Sequence, residues 1–405
     1  MLIVKTPEEV FEIINSVFGE RMETEEVSLS DALGRVLSED VCSTEHVPGF
    51  DRSTVDGYAV KASDTFGCSD SIPVVLSLLD EIRMGEEASE CLKPGEAAYI
   101  PTGGELPKGA DGVLMVEYSE LYGDGTVGVL CPVSPGENVI FRGDDIRTGE
   151  RLLSKGSVLN TAQIGALAAI GKTNVPVKKK LSVGILSTGD ELVPSSDVPG
   201  PGQVRDVNSR MLESFVIGNY AEAVCYGIIR DDKEEIGRTL DIALSECDLV
   251  LISGGSSAGL KDTTAKIIEE RGELLFHGIA MKPGKPTILG NAGGKPVMGL
   301  PGHPGAAFFV AQLFVTALLD RLYGRKQSEF PVKAVLSERV PSNHGRAQYV
   351  GVSLREENGI LFADPVHSKS GLITTIARVC GYFAIDRDRE GLEKGEEIEV
   401  WRFSI

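Results

Sequence analysis

Residues 181–189, LSVGILSTG, decide the fold of this chain. A continuous apolar run that ends in Ser187, Thr188 and Gly189 reads as a strand buried on both faces, with small residues making a tight turn at its carboxyl end. The pattern then repeats. A helix follows Asn208, then the strand EAVCYGII (222–229), a helix after Asp232, the strand CDLVLISGG (247–255) and a helix after Asp262. The strands LLFHGIAM (274–281) and PVMGLPG (296–302) come next, before a long apolar helix from about Pro304. Continuous apolar strands alternating with helices predict a doubly wound α/β domain with a mainly parallel sheet over residues 178–326. In such a sheet, ligands bind outside the carboxyl ends of the strands.

Outward from this centre the character changes. Thr6 as N-cap, Pro7 at the first helical position and Glu9 three residues after the cap predict a capping-box helix, and a second short helix is expected after Ser30. Between residues 47 and 143 short β-rich runs such as IPVVLSLL (72–79), EAAYIP (96–101) and GVLMVEY (112–118) alternate with Gly/Pro turns, the pattern of a small β domain. A helix capped at Asn160 and closed near Gly171 follows. It is expected to pack on the N-terminal helices, so that residues 1–46 and 144–177 form one helical-rich domain interrupted by the β insertion. Residues 327–405, with runs such as QYVGVSL (348–354) and GYFAIDR (381–387), predict a C-terminal β domain.

The 405 residues are 42% hydrophobic and carry 40 Lys and Arg against 60 Asp and Glu, a formal charge of −20. That balance argues against nonspecific nucleic-acid or anionic-membrane binding, both of which rely on a net basic field. An anionic substrate would then need a local basic cluster or a bridging metal. The seven cysteines include no Cys-x-x-Cys pair, the usage of a chain with reduced thiols, and a cytoplasmic location is expected. No targeting segment is read at the N-terminus. The apolar run AAFFVAQLFVTALLDRL (306–322), interrupted by Gln312 and Thr316, is read as too short to span a bilayer.

Three successive loops of the α/β region end in carboxylates. STGDEL sets Ser187, Thr188, Gly189, Asp190 and Glu191 after the first strand, and IIRDD sets Asp231 and Asp232 after the next. SGGSSAGLKD sets Ser253, Gly254, Gly255, Ser256, Ser257, Gly259 and Asp262 after the third. Small residues let backbone N–H groups approach an anion, and a helix N-terminus adds positive potential. The turn AMKPGKPT supplies Lys282 and Lys285 as point-charge phosphate ligands at a sheet edge beside the acidic loops. Pro301, Gly302, His303 and Pro304 form a rigid wall before the apolar helix, with His303 as a polar contact rather than a zinc ligand. Carboxylates and oxygen donors with few histidines suit a hard cation, Mg2+ most simply. No Gly-x-Ser-x-Gly elbow pairs with a histidine, so a serine hydrolase is set aside.

In this order, PGFDRSTVDGYAV (48–60), PTGGELPKGADGVLMVE (101–117), FRGDDIRTGE (141–150), LSTGDEL (186–192), GIIRDD (227–232), SGGSSAGLKD (253–262), KPGKP (282–286) and GLPGHP (299–304) resemble the molybdopterin molybdenumtransferases, the MoeA and gephyrin E-domain family. The resemblance spans essentially the whole chain. It implies Mg2+-dependent insertion of molybdate, or tungstate, into adenylylated molybdopterin with release of AMP. It also implies a homodimer whose inserted domain faces the partner's α/β domain, with a molybdopterin adenylyltransferase as a further expected partner. The residues it places in the cleft are Asp56, Thr102, Glu191, Asp231, Asp262, Lys282 and Lys285, with Ser257, Pro301 and Pro304 lining the pocket and Glu191, Asp231 and Asp262 as metal ligands. Tyr58 is read as core. The chain departs from the family at Ser256, at His303 where asparagine is usual, and at Gly351 where an arginine is thought to help bind the oxyanion. The competing reading is a molybdopterin-binding scaffold with weak catalysis.

Overall fold

In the computed structural model of the protein the described residues are 4–88, 91–254, 258–325, 330–367 and 373–403, without the side chains of 258–262. Helix α1 (Pro7–Val17) begins at the capping box read from the sequence: Thr6 Oγ1 accepts from Glu9 N while Glu9 Oε2 accepts from Thr6 N. Its apolar stripe is Val10, Phe11 and Ile14. The expected second helix is replaced by a single 3-10 turn at Leu29–Asp31, just after β1 (Thr24–Ser28). Ser28 Oγ donates to Asp31 Oδ2 at 2.7 Å beside this turn, and Ala32, Leu37 and Val41 are drawn into a core as the chain runs on.

The insertion is a six-stranded sheet of β2 (Gly57–Val60), β3 (Val74–Leu78), β4 (Glu96–Ile100), β5 (Gly112–Met115), β6 (Ser119–Leu121) and β7 (Thr126–Val129), in the order β5-β2-β4-β3-β7-β6. Tyr58 is buried in its core, as expected. The chain then returns through α2 (Thr161–Ala169), capped by Asn160 and Gln163, to β8 (Asn174–Lys178), which pairs antiparallel with β1. Helix α2 packs on residues 32–47 and not on α1. Helix α1 joins the α/β core instead, where Phe11 meets Phe314 at 5.1 Å between ring centroids.

The central sheet contains β9 (Ser182–Thr188), then α3 (Asn208–Gly218), β10 (Glu222–Ile229), α4 (Lys233–Glu246), β11 (Leu249–Gly254), α5 (Ala258–Glu269) and β12 (Glu273–His277). After the short β13 (Met281–Lys282) come β14 (Ile288–Ala292), β15 (Lys295–Leu300), α6 (Pro304–Val310), a π-helical turn at Ala311–Val315, and α7 (Thr316–Tyr323). The strand order is β10-β9-β11-β15-β14-β12, parallel through the first four strands. Alternation along β11 shows why its apolar run is continuous: Leu249 and Leu251 enter one core with Val10, Phe314 and Leu318, while Val250 and Ile252 enter the opposite core with Ile236, Leu240 and Ile268. The stretch Pro304–Tyr323 is long and apolar enough to cross a membrane by length and composition, against the expectation that it is too short, but its most apolar window is 67% buried in the α/β core.

The C-terminal strands are β16 (Val332–Leu336), β17 (Ala347–Glu357), β18 (Ile360–Pro365), β19 (Gly381–Ile385) and β20 (Glu397–Arg402). Because β19 pairs with both β20 and β17, the ring β17-β18-β16-β20-β19 closes into a five-stranded barrel. Strand β13 adds in parallel to β17, with Lys282 opposite Gln348, and so ties the α/β region to the barrel.

Candidate active site

Four strand ends of the central sheet finish level: Thr188 lies opposite Ile229 and Gly254, and Ser253 opposite Leu300. Their side chains form a buried polar floor. Ser187, Thr188 and Ser253 are 1%, 4% and 2% exposed, and the Ser187 hydroxyl has no hydrogen-bond partner. Gly254 has φ +150°, and a Cβ there would lie 2.1 Å from the Thr188 carbonyl oxygen, so the two loops approach more closely than any side chain allows. Asn208, read from the sequence only as a helix start, is not the cap. Val207 holds that position, and the Asn208 amide turns onto the floor, donating to Ser253 Oγ at 2.8 Å and to the Gly302 carbonyl at 3.0 Å. Its Oδ1 is buried without a partner.

At one end of this edge the acidic loops converge. The Asp231 amide donates to Asp190 Oδ1 at 3.3 Å, and burial, then Asp190, then Glu191 push the Asp231 carboxyl above its ordinary range. Asp231 Oδ1 is buried and unpartnered. Like charges gathered around an orphaned carboxylate oxygen fit a hard cation, which would satisfy the oxygen and relieve the repulsion. Among the described residues no group of three or more His, Cys, Asp or Glu is already arranged as a metal cage. Asp232 caps α4 through the Glu235 amide. Gly255 and Ser257, with the departure Ser256, lie outside the described residues. Gly259 and Asp262 fall in α5, which begins at Ala258 rather than after Asp262, and their side chains are not described.

At the other end lies a cleft of about 1140 Å³ between the α/β region and the barrel, lined by Lys282, Lys285, Pro301, Gly302, His303 and Gly351 among others. The lysines, expected at a sheet edge beside the acidic loops, line this cleft. Strand β13 carries them to the barrel side, and among the described residues no Asp or Glu lines the cleft. Pro304 opens α6 at its first position and is not part of that lining. At Gly351 a Cβ would meet Val379 Cγ1 at 2.8 Å and Phe309 Cζ at 3.3 Å, so apolar atoms wall this position.

Asp56 and Thr102 come together on the inserted sheet. Thr102 donates through its amide at 2.7 Å and its hydroxyl at 2.8 Å to Asp56 Oδ1, and these two bonds hold the exposed carboxyl below its ordinary value. Asp51 instead accepts from the Arg142 amide at 2.7 Å and fixes the loop. Among the described residues no hydrogen bond or ion pair joins the inserted sheet to the α/β region.

The MoeA N-terminal region (domain I and II) matches residues 5–171, a probable molybdopterin binding domain matches residues 184–321, and the MoeA C-terminal region (domain IV) matches residues 333–403. This chain belongs to the MoeA family. Of its relatives, the molybdopterin molybdenumtransferase of Bacillus subtilis is 33% identical over 99% of this chain and 95% of that one. The molybdopterin molybdenumtransferase of Haemophilus influenzae is 31% identical over 94% of each. The crystal structure of a molybdopterin biosynthesis moeA protein from Pyrococcus horikoshii OT3 superposes with a TM-score of 0.88, at 35% identity over 99% of this chain and 100% of that chain. A MoeA fold thus carries the acidic loops, the polar floor and the cationic cleft of this chain along one sheet edge.

Proposed function

We propose that this MoeA-family chain is a molybdopterin molybdenumtransferase that inserts molybdate, or tungstate, into adenylylated molybdopterin and releases AMP. The observation that supports this reading is the separation of charge along one sheet edge: carboxylates at Asp190, Glu191 and Asp231, and free lysines in an acid-free cleft at the far end. A substrate carrying a pyrophosphate needs a metal at one end, and a tetrahedral oxyanion needs cations at the other. The buried polar floor of Ser187, Thr188, Ser253 and Gly254 lies between them, beneath the position proposed for the pterin. Glu191, Asp231 and Asp262 would hold Mg2+, which supplies charge neutralisation for the pyrophosphate. Lys282 and Lys285 hold the oxyanion by charge-assisted hydrogen bonds. The Asp56 carboxylate, kept ionised by Thr102, completes the cleft from a partner subunit in a homodimer, and the enzyme works in the cytoplasm downstream of a molybdopterin adenylyltransferase.

The test is incubation with adenylylated molybdopterin, Mg2+ and each oxyanion, following AMP release and metal incorporation together. Oxyanion-dependent AMP release is the expected result. The apolar wall at Gly351 favours one second reading, a molybdopterin-binding scaffold with weak insertion. Tight binding of adenylylated molybdopterin without AMP release would select it.

A further inference from the structure

We infer that Arg346, on the C-terminal barrel, is the third cation of the oxyanion site and occupies the electrostatic role that Gly351 cannot fill. The inference rests on the reading of the cleft as an oxyanion site.

The argument begins with register. Strand β13 runs parallel to β17, with Met281 opposite Ala347 and Lys282 opposite Gln348, and the Ala347 amide donates to the Ala280 carbonyl at 3.0 Å. Arg346 sits in the bend that leads directly into β17, next to this paired ladder, and it lines the cleft together with Gln348 and Lys282. Lys285 reaches the same cleft from the following turn.

Charge supports the same assignment. In a chain of formal charge −20 a cation is ordinarily drawn into an ion pair, as Arg355, Arg389 and Lys333 are on this same barrel. Among the described residues the side chains of Arg346, Lys282 and Lys285 have no hydrogen-bond or ion-pair partner, and no Asp or Glu lines the cavity they share. His367, on the same lining, is turned to Glu338 at 2.7 Å and is already engaged. Three unneutralised cations facing one acid-free cavity form an anion site whose charge exceeds that of the two lysines alone. A guanidinium adds a planar pair of donors that an ammonium lacks.

Position 351 explains why the charge comes from five residues earlier. Val379 and Phe309 pack where a side chain would begin, and the Gly351 carbonyl accepts from the Val366 amide at 2.8 Å, so this part of the wall is closed by packing and backbone pairing.

The test is molybdate affinity by equilibrium dialysis at low ionic strength, without pterin or Mg2+, for wild type, Arg346→Ala, Arg346→Gln, Lys282→Ala, Lys285→Ala and the distant Lys93→Ala. Circular dichroism and thermal melting confirm that each variant folds. Loss of roughly tenfold or more in both Arg346 variants, the size of one charge-assisted bond, with a shallower salt dependence and an unchanged Lys93→Ala, is the expected result. If both lysine variants weaken binding and both Arg346 variants match wild type, the lysines hold the anion alone and the inference fails while the reading of the cleft stands. If wild type binds molybdate and none of the cleft variants changes the affinity, or if wild type does not bind it, the oxyanion reading and the inference fall together.

Discussion

The two ends of the sheet edge solve opposite electrostatic problems. At Asp231 burial, then the neighbouring Asp190 and Glu191, raise a carboxyl above its ordinary range. At Lys282, Lys285 and Arg346 the chain gathers cations in a cleft that no Asp or Glu among the described residues lines. The difference lies in where the loops come from. The acidic loops follow adjacent strands β9 and β10 of a single sheet, whereas the cationic cleft is assembled from a turn and a barrel strand that meet only through the β13–β17 pairing. In an acidic protein a cluster of acids needs only local sequence, but a cluster of free cations needs a junction that keeps acids out.

Removing the cationic end should have the largest effect. Lys282→Ala combined with Lys285→Ala is expected to lower oxyanion-dependent AMP release by about a hundredfold or more, since each charge-assisted bond contributes ~1.5–3 kcal/mol. A drop of less than tenfold, measured under subsaturating molybdate, would break the comparison at its cationic side.

The next effect asks whether Asp56 belongs to neither end of its own chain. Asp56→Asn and Asp262→Asn homodimers are expected to be inactive, and randomly exchanged mixtures to recover about a quarter of wild-type activity, because half the dimers are mixed and each carries one intact site. Mixtures that exchange subunits yet stay inactive would place Asp56 outside a shared cleft.

Gly254→Ala probes the floor between the ends. A Cβ 2.1 Å from the Thr188 carbonyl, at a φ of +150°, should lower stability by ~1–3 kcal/mol, read as a drop in the melting temperature. Gly351→Arg should cost a comparable amount against Val379, and it should not tighten molybdate binding unless Val379→Ala is added to make room.

The smallest effect belongs to the acidic end. The Asp231 carboxyl is raised above its reference value of 3.8, so the folded state holds a proton that the unfolded state has released. Stability should therefore fall as pH rises from about that value through the raised pKa. Asp231→Asn should flatten this slope in melting experiments. Mg2+ should raise the melting temperature of the wild type near neutral pH and have little effect on the variant, whereas equal responses would move the cation to other carboxylates.

Local physics made much of this legible. The capping boxes at Thr6–Glu9 and Asn160–Gln163 form as their side chains dictate, and the apolar strands of the α/β region lie in a parallel order that feeds two cores. The family resemblance put Asp56 and Thr102 in the cleft, but their hydrogen bond was not legible, since the two residues are brought together across β2 and β4. Non-local geometry was hidden. The chain after Ser30 feeds Ala32 and Leu37 into a core instead of continuing a helix, and Asn208 looks like a cap until β11 and the Gly302 loop offer it better partners. Arg346 carried no local signal, because only the pairing of 281–282 with 347–348 brings it to the lysines.

That two-residue ladder has a mechanical consequence. Strand β13 is hydrogen-bonded to the barrel beside both the lysine turn and the bend that carries Arg346, so a rotation of the barrel against the sheet would have to shear this ladder before it widened the gap between them. The opening then acts as a fixed gauge. Such a gauge sorts ions by how much charge they present across a constant span: a tetrahedral dianion engages cations on both walls at once, while a singly charged ion of the same radius leaves one wall unanswered.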